Sequence, residues 1–291
     1  MRIAVTGGKG GTGKSTVATA LAIELAKTGN VLLVDADVDC PDDHLMLSVK
    51  RKKVKDVFQP VPVFDMKKCT KCGKCGQVCK QNSIVFVKGK HPAFVPDMCI
   101  GCKACIFVCP SGAIKEGKKK IGTIYRGENY GIHLISGELK IGELASGEMV
   151  AETRKLSEEI EKGSKSETVV IDSAAGIGCP VIASITGTDF AVAVTEPTPS
   201  ALSDLDRVLN VARHFGIPHG IVINKFDLSK AFTKRIEKFA EKSSIPILGK
   251  IPYDKKFIEY AIKMKPAVAY EKEFGSFFRE ILREIPIRKS P

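Results

Sequence analysis

The chain has 291 residues, of which 44% are hydrophobic and 27% charged, and its formal charge is +12. That length suits one large α/β domain with a small module, or two domains, and either can bury a core. No stretch reaches the roughly 18 apolar residues of a membrane-spanning helix, and Arg2-Ile3-Ala4-Val5 runs straight into a glycine loop where a secretory leader would need an apolar segment.

Arg2–Val5 predicts a short buried strand, Gly7–Thr12 a glycine-rich loop, and Ser15–Lys27 a helix stopped by Gly29. Val31–Asp35 is a second apolar strand, which completes the βαβ unit of a parallel sheet. From about Pro60 to Glu116 the composition turns cysteine-rich and basic, without long helical patterns. The α/β rhythm resumes with predicted strands at Ile132–Ile135, Val169–Asp172, Phe190–Thr195, Gly220–Asn224 and Ile247–Ile251. Amphipathic helices are predicted near Gly147–Lys162, Ser200–His214, Ser229–Glu241 and Glu271–Ile285. The expected fold class is α/β: a doubly wound, mostly parallel sheet built from residues 1–60 and 118–291. A small α+β module at 61–117 interrupts it.

Gly8-Lys9-Gly10-Gly11-Thr12-Gly13-Lys14-Ser15, followed by Thr16, fits G-x4-G-K-[ST] between a strand and a helix. Glycines let backbone N–H groups curl around phosphates, and the helix N-terminus adds partial positive charge. Lys14 should reach the β- and γ-phosphates, and Ser15 should hold Mg²⁺. Val169-Val170-Ile171-Asp172 followed by Ser173-Ala174-Ala175-Gly176 reads as Walker B and switch II. Asp172 would bind Mg²⁺ through water, and Gly176 would sense the γ-phosphate.

Lys9 near the start of K-G-G-x-G-K-S makes the loop resemble the deviant Walker A family: MinD/ParA ATPases, the nitrogenase iron protein and Mrp-type iron–sulfur carriers. The resemblance implies ATP sandwiched in a homodimer, with Lys9 reaching the partner's phosphates. It gives Asp37, within Asp35-Ala36-Asp37-Val38-Asp39, the water-activating role, and lets Asp35 or Asp39 order the metal's water shell. It also puts Asn224 against adenine and Pro252 in a late base-edge loop. Asn224-Lys225-Phe226-Asp227 reads N-K-x-D, which selects guanine in GTPases; the deviant loop favours ATP.

Cys69-x2-Cys72-x2-Cys75-x3-Cys79 recurs as Cys99-x2-Cys102-x2-Cys105-x3-Cys109-Pro110. The duplicated spacing resembles bacterial ferredoxins, whose fourth cysteine crosses to the other cluster. The resemblance implies two [4Fe–4S] clusters: one on Cys69, Cys72, Cys75 and Cys109, the other on Cys99, Cys102, Cys105 and Cys79. Lys80 stands where the first run would carry a proline, and Ser83–Val95 is long enough for a hairpin turning at Lys88-Gly89-Lys90. Zinc prefers pairwise cysteine spacing and fits poorly. Metal-spaced cysteines point to a reducing cytoplasm, and three Gln and five Asn fit a thermophile.

Cys179 sits seven residues after Asp172, the offset of a cluster-ligating cysteine in the nitrogenase iron protein. A bridging cluster there would need Cys40 or another ligand type; the simpler reading of Cys179 is a small buried hydrophobe, and Cys40 has no assigned role. Lys and Arg read as scattered, densest at 50–53 and 118–120, so nucleic acid is not an expected partner. Three functions follow: an ATPase in iron–sulfur or mixed-metal cluster assembly, an ATP-gated electron donor, and a MinD-like positioning switch. The first two need a redox or apo-metalloprotein partner. The third would need a membrane anchor, for which Phe274–Ile287 is amphipathic through Phe277, Phe278, Ile281, Leu282 and Ile285; closing the core is the commoner use of such a helix.

Overall fold

The computed structural model describes residues 1–164 and 168–286. In chain order the elements begin β1 (Arg2–Gly7), α1 (Lys14–Ala26), β2 (Val31–Ala36), α2 (Asp43–Met46), β3 (Lys52–Phe64), α3 (Lys74–Val78), β4 (Ile84–Val85) and β5 (Ala93–Phe94). They continue with α4 (Ala104–Phe107), β6 (Ile114–Asn129), β7 (Ile132–Leu139), α5 (Ser146–Ser164), β8 (Thr168–Ala175), α6 (Cys179–Ile185), β9 (Phe190–Thr195) and α7 (Pro199–His214). The last are β10 (His219–Asn224), α8 (Lys230–Lys242), β11 (Ile247–Ile251), α9 (Lys255–Ile262), α10 (Ala267–Tyr270) and α11 (Lys272–Glu284).

Nine strands form one sheet in the order β11-β10-β9-β1-β8-β2-β7-β6-β3. The pairs from β11 through β7 are parallel, and β6 and β3 add an antiparallel edge. The parallel strands are buried on both faces, which explains their continuous apolar runs. One face packs α1, α10 and α11 around Ile3, Leu21 and Phe278. The other packs α6 to α8 around Val181, Leu205 and Ile236, and α5 around Met149 and Val150.

Two features were not in the predicted strand set. β3 pairs with β6 from Lys52↔Arg126 to Phe64↔Ile114, with irregularities between Lys53 and Lys55 and between Val57 and Phe58, and β6 continues onto β7. The boundaries at 60/61 and 117/118 therefore fall inside paired strands. The cysteine-bearing residues 65–113 sit at the end of a two-stranded ribbon that extends the main sheet. Pro60 and Pro62 are tolerated because β3 is an edge strand, where a missing N–H leaves no ladder bond unmade. Val57, Ile121 and Ile124 root the ribbon in the core. Within 65–113, β4 and β5 pair antiparallel.

α11 closes the core. Phe278 and Ile281 are fully buried, Ile285 nearly so, and Phe257 stacks on Phe274 with ring centroids 4.3 Å apart. Ile287, the end of the predicted amphipathic stretch, lies outside the described residues. Phe278→Ala is expected to cost about 3–5 kcal/mol of stability, read by chemical denaturation; a loss below about 1 kcal/mol would detach this helix from the core. Among the described residues, no helix is long and apolar enough to cross a membrane.

Candidate functional site

The loop between β1 and α1 opens at the C-terminal end of the parallel strands, where doubly wound sheets bind ligands. Gly11 and Gly13 take φ of 80° and 92°, left-handed values that favour glycine. A side chain at Gly13 would also strike the Asn224 amide, 2.3 Å from the Cβ position. Nothing lies within 4 Å of a Cβ at Gly10 or Gly11, both of which are exposed. Lys14 is buried and donates from Nζ to the Lys9 carbonyl at 3.4 Å. Its ammonium is curled inside the loop rather than spread into solvent.

Opposite the loop lies an acidic group. One oxygen each of Asp42, Asp43 and Asp172 lie within 4.8 Å of one another, the only such group of His, Cys, Asp or Glu donors among the described residues. Both oxygens of Asp43 and Asp172, and Oδ1 of Asp35, are buried without a hydrogen-bond partner. Asp35 Oδ2 accepts from Ser136 at 3.3 Å. Burial pushes the Asp172 carboxyl up to about 7, against the pull of the Ser15 hydroxyl and Lys14. Burial drives Asp35 and Asp43 well above the carboxylate range too, with Asp172 adding to both. Orphaned, proton-hungry oxygens beside Ser15 and Lys14 fit a hard divalent cation such as Mg²⁺. Burial also raises Asp37, with Lys14 opposing, which suits a group accepting a proton from water. Asp39 is exposed.

These shifts set a pH dependence. A carboxyl whose folded pKa exceeds its unfolded value near 4 favours the protonated native state. The stability it contributes is complete below about pH 4 and is lost as pH rises through about 7. The rise in melting temperature on adding Mg²⁺ should therefore be larger at about pH 8 than at about pH 5.5, and Asp172→Asn should flatten the difference. A Mg²⁺ increment independent of pH would remove these carboxylates from metal binding.

Beside the loop is a cavity of about 310 Å³ lined by Gly11, Thr16, Asn224, Lys225, Pro252 and Tyr253, among others. Asn224 lines it, but its Nδ2 donates to the Thr12 carbonyl at 2.8 Å and its Oδ1 accepts the Lys225 N–H at 3.0 Å. Lys225 Nζ donates to the Gly11 carbonyl and to Glu196, both at 3.0 Å. Asp227 Oδ1 accepts the Tyr253 N–H at 2.7 Å and is not among the cavity's lining residues. The N-K-x-D segment thus clamps the loops. Lys9 Nζ donates to Glu196 at 3.4 Å, so Glu196 holds Lys9 and Lys225 together. Gly176, with φ 99°, donates its N–H to the Gly7 carbonyl at 3.1 Å, which joins the segment after β8 to the loop.

The eight motif cysteines surround two cavities. Cys79, Cys99, Cys102 and Cys105 line one of about 220 Å³; Cys69, Cys72, Cys75 and Cys109 line one of about 20 Å³. Each draws three cysteines from one run and one from the other. Among the described residues no three thiols lie within 4.8 Å of one another, whereas a tetrahedral zinc ion would bring them to about 3.8 Å. Burial raises the Cys79 and Cys109 thiols, but nearby hydroxyls and backbone N–H groups outweigh it and hold both below the usual thiol value. Burial pushes Cys105 up to about 11, with Cys99 and Cys102 adding. Such crowded thiols require a cation to stay ionised together, and donor type and spacing fit an iron–sulfur cluster. Gly73 and Gly101 turn these loops at φ of 75° and 72°.

Cys179 and Cys40 are both exposed, which overturns the reading of Cys179 as a buried hydrophobe. Cys179 opens α6, and its Cβ would lie 2.9 Å from a side chain at Gly147 of α5. Asp42, Asp43 and Glu196 were not foreseen. The one available signal was carboxylate density, five aspartates between 35 and 43.

Residues 3–267 match the family model described as the CobQ/CobB/MinD/ParA nucleotide binding domain, and the chain belongs to this family. It is accordingly a nucleotide-binding protein of a P-loop ATPase class. The uncharacterized protein MJ0579 of Methanocaldococcus jannaschii is 32% identical over 282 residues, 97% of this chain and 96% of that protein. An iron-sulfur cluster carrier protein of Pyrococcus abyssi is 26% identical, over 98% of this chain and 85% of its own length. Among solved structures, the septum site-determining protein MinD of Pyrococcus horikoshii, complexed with Mg-ADP, superposes with a TM-score of 0.64 at 20% identity, covering 98% and 96% of the two chains.

Proposed function

We propose that the chain is a cytoplasmic, Mg²⁺-dependent ATPase that couples its nucleotide state to two [4Fe–4S] clusters in the assembly or transfer of iron–sulfur or mixed-metal clusters. The observation that carries this reading is continuity. The strands that end at the phosphate loop and the aspartates belong to the same sheet whose outer ribbon bears the two cysteine quartets. The relatives named as cluster carriers add support.

In this reading Lys14 and the loop amides hold the phosphates, Ser15 and the Asp42–Asp43–Asp172 group hold Mg²⁺, and Asp37 takes the proton from attacking water. Bound Mg²⁺ would neutralise charge on the phosphates. Lys9, leaving Glu196, would reach the nucleotide of a second subunit, so the active form is a homodimer. The purine lies in the cavity between Thr16 and Pro252. With Asp227 engaged by Tyr253, the guanine-reading carboxylate is absent from that cavity, which favours ATP.

The test is anaerobic incubation of cluster-loaded protein with an apo-acceptor, with and without ATP. Iron and sulfide should move to the acceptor, at a rate that ATP changes at least about fivefold. Clusters that stay in place and only cycle reversibly between redox states would replace transfer by gated electron donation. Tighter binding of GTP than ATP would reverse the nucleotide choice.

A further inference from the structure

The positive charge is not scattered along the chain, as first expected, but concentrated in one segment of it. Residues 50–126 hold 18 Lys and Arg against 4 Asp and Glu, a net +14; since the whole chain carries +12, the remainder sums to −2. This stretch is the β3–β6 ribbon together with the two cysteine-lined cavities at its end. Two clusters at about −2 each would still leave it near +10.

The lysines stand at the cavities. Lys71 and Lys74 line the smaller one, Lys80 and Lys103 the larger. Lys103 and Lys120 are held by carboxylates, at 2.8 Å from Glu116 and 2.6 Å from Asp56. Lys71, Lys74 and Lys80 are exposed, and no ion pair engages them among the described residues. Like charges gathered without partners raise the energy of the free protein and are relieved by an opposing surface.

We propose that this lysine-rimmed face docks an acidic surface of a partner protein that exchanges electrons or cluster components with the cysteine sites. The exchange rests on the proposed function; the docking face rests on charge and exposure alone. Of the 18 basic residues only Arg51 and Arg126 are arginine, and Arg51 is engaged by Glu138 at 2.8 Å and stacked over Tyr125. Phosphate recognition leans on the arginine fork, whereas lysine point charges suit a fast, salt-sensitive protein encounter. Ile100, 47% exposed, lines the larger cavity with Lys80 and Lys103 and adds apolar contact of the kind protein interfaces use. A second copy offers no matching acidic excess, since the rest of the chain is nearly neutral.

The test uses the full cluster-loaded chain and three probes: a small acidic [2Fe–2S] ferredoxin, a lysine-rich cytochrome c, and a mixed-sequence DNA or RNA oligonucleotide. Binding is measured by calorimetry at low and high salt, for the wild type and for K71E/K74E/K80E. The acidic ferredoxin should bind with an affinity that falls at least about tenfold with salt and about tenfold in the variant, while cytochrome c should not bind. K71Q/K74Q/K80Q should give an intermediate loss, which separates charge from misfolding. Ferredoxin binding that ignores these substitutions overturns the proposal, as does tighter oligonucleotide binding. Self-association lost in the variant would assign the face to a second copy and overturn it too. Iron and sulfide are counted separately. A chain that takes up no iron or sulfide on anaerobic reconstitution, yet still binds the acidic probe, supports the docking face while rejecting the cluster reading.

Discussion

Lys14→Ala should lower ATP hydrolysis by at least about 100-fold while leaving iron content unchanged. The ammonium already lies inside the loop, buried and donating to the Lys9 carbonyl, so phosphate would meet a preorganised charge. Removing one preorganised donor from a developing anion typically costs about 100- to 1000-fold in rate. Nucleotide affinity should fall as well, because the same charge binds the ground state. Steady-state hydrolysis at saturating ATP, with iron counted on the same sample, separates the two halves of the molecule. Retention of more than about a third of the activity would mean that this loop is not the catalytic phosphate site. Loss of iron together with activity would mean that the substitution unfolds the chain.

Cysteine replacement should act on iron instead. Two loaded clusters give about eight irons per chain, and Cys79→Ala or Cys109→Ala should each leave about four. The decisive comparison is between pairs. Cys79 shares its cavity with Cys102 and not with Cys72. C79A/C102A should therefore still hold about four irons, whereas C72A/C79A should hold almost none, since each cluster loses a ligand. An uncrossed arrangement, with each run holding its own cluster, gives the reverse. Iron and sulfide assays on anaerobically reconstituted variants distinguish the outcomes.

The parallel core was legible because its information is local. Strands buried on both faces must be apolar throughout, and a phosphate loop must carry glycine where φ turns positive, as at Gly11 and Gly13. The ribbon was not legible for the opposite reason. β3 reads as a lysine run followed by Pro60 and Pro62, and only its pairing with β6, some 60 residues away in sequence, makes it a strand. Asp42 and Asp43 follow the expected aspartates by only a few residues. Their role depends on the short α2 turning Asp43 inward beside Asp172. Asn224 was found by its motif, yet its amide is bound to the Thr12 carbonyl, a contact that no spacing encodes. The cysteines were the reverse case: eight thiols at x2-x2-x3 spacing announce themselves, while the exposure of Cys179 and Cys40 is set by packing alone.

The ribbon is also a lever. β6 makes its last pairs with β7 at Gly122, and beyond the irregularity at Ile121 seven residues, Ile114 to Lys120, continue outward paired to β3. At about 3.3 Å per residue that arm is roughly 23 Å long. A tilt of about 5° where it leaves the sheet would carry the cysteine-bearing tip about 2 Å, a displacement close to the length of a metal–thiolate bond. Motions too small to break a hydrogen bond at the sheet edge are thus magnified to a chemically meaningful distance at the thiols.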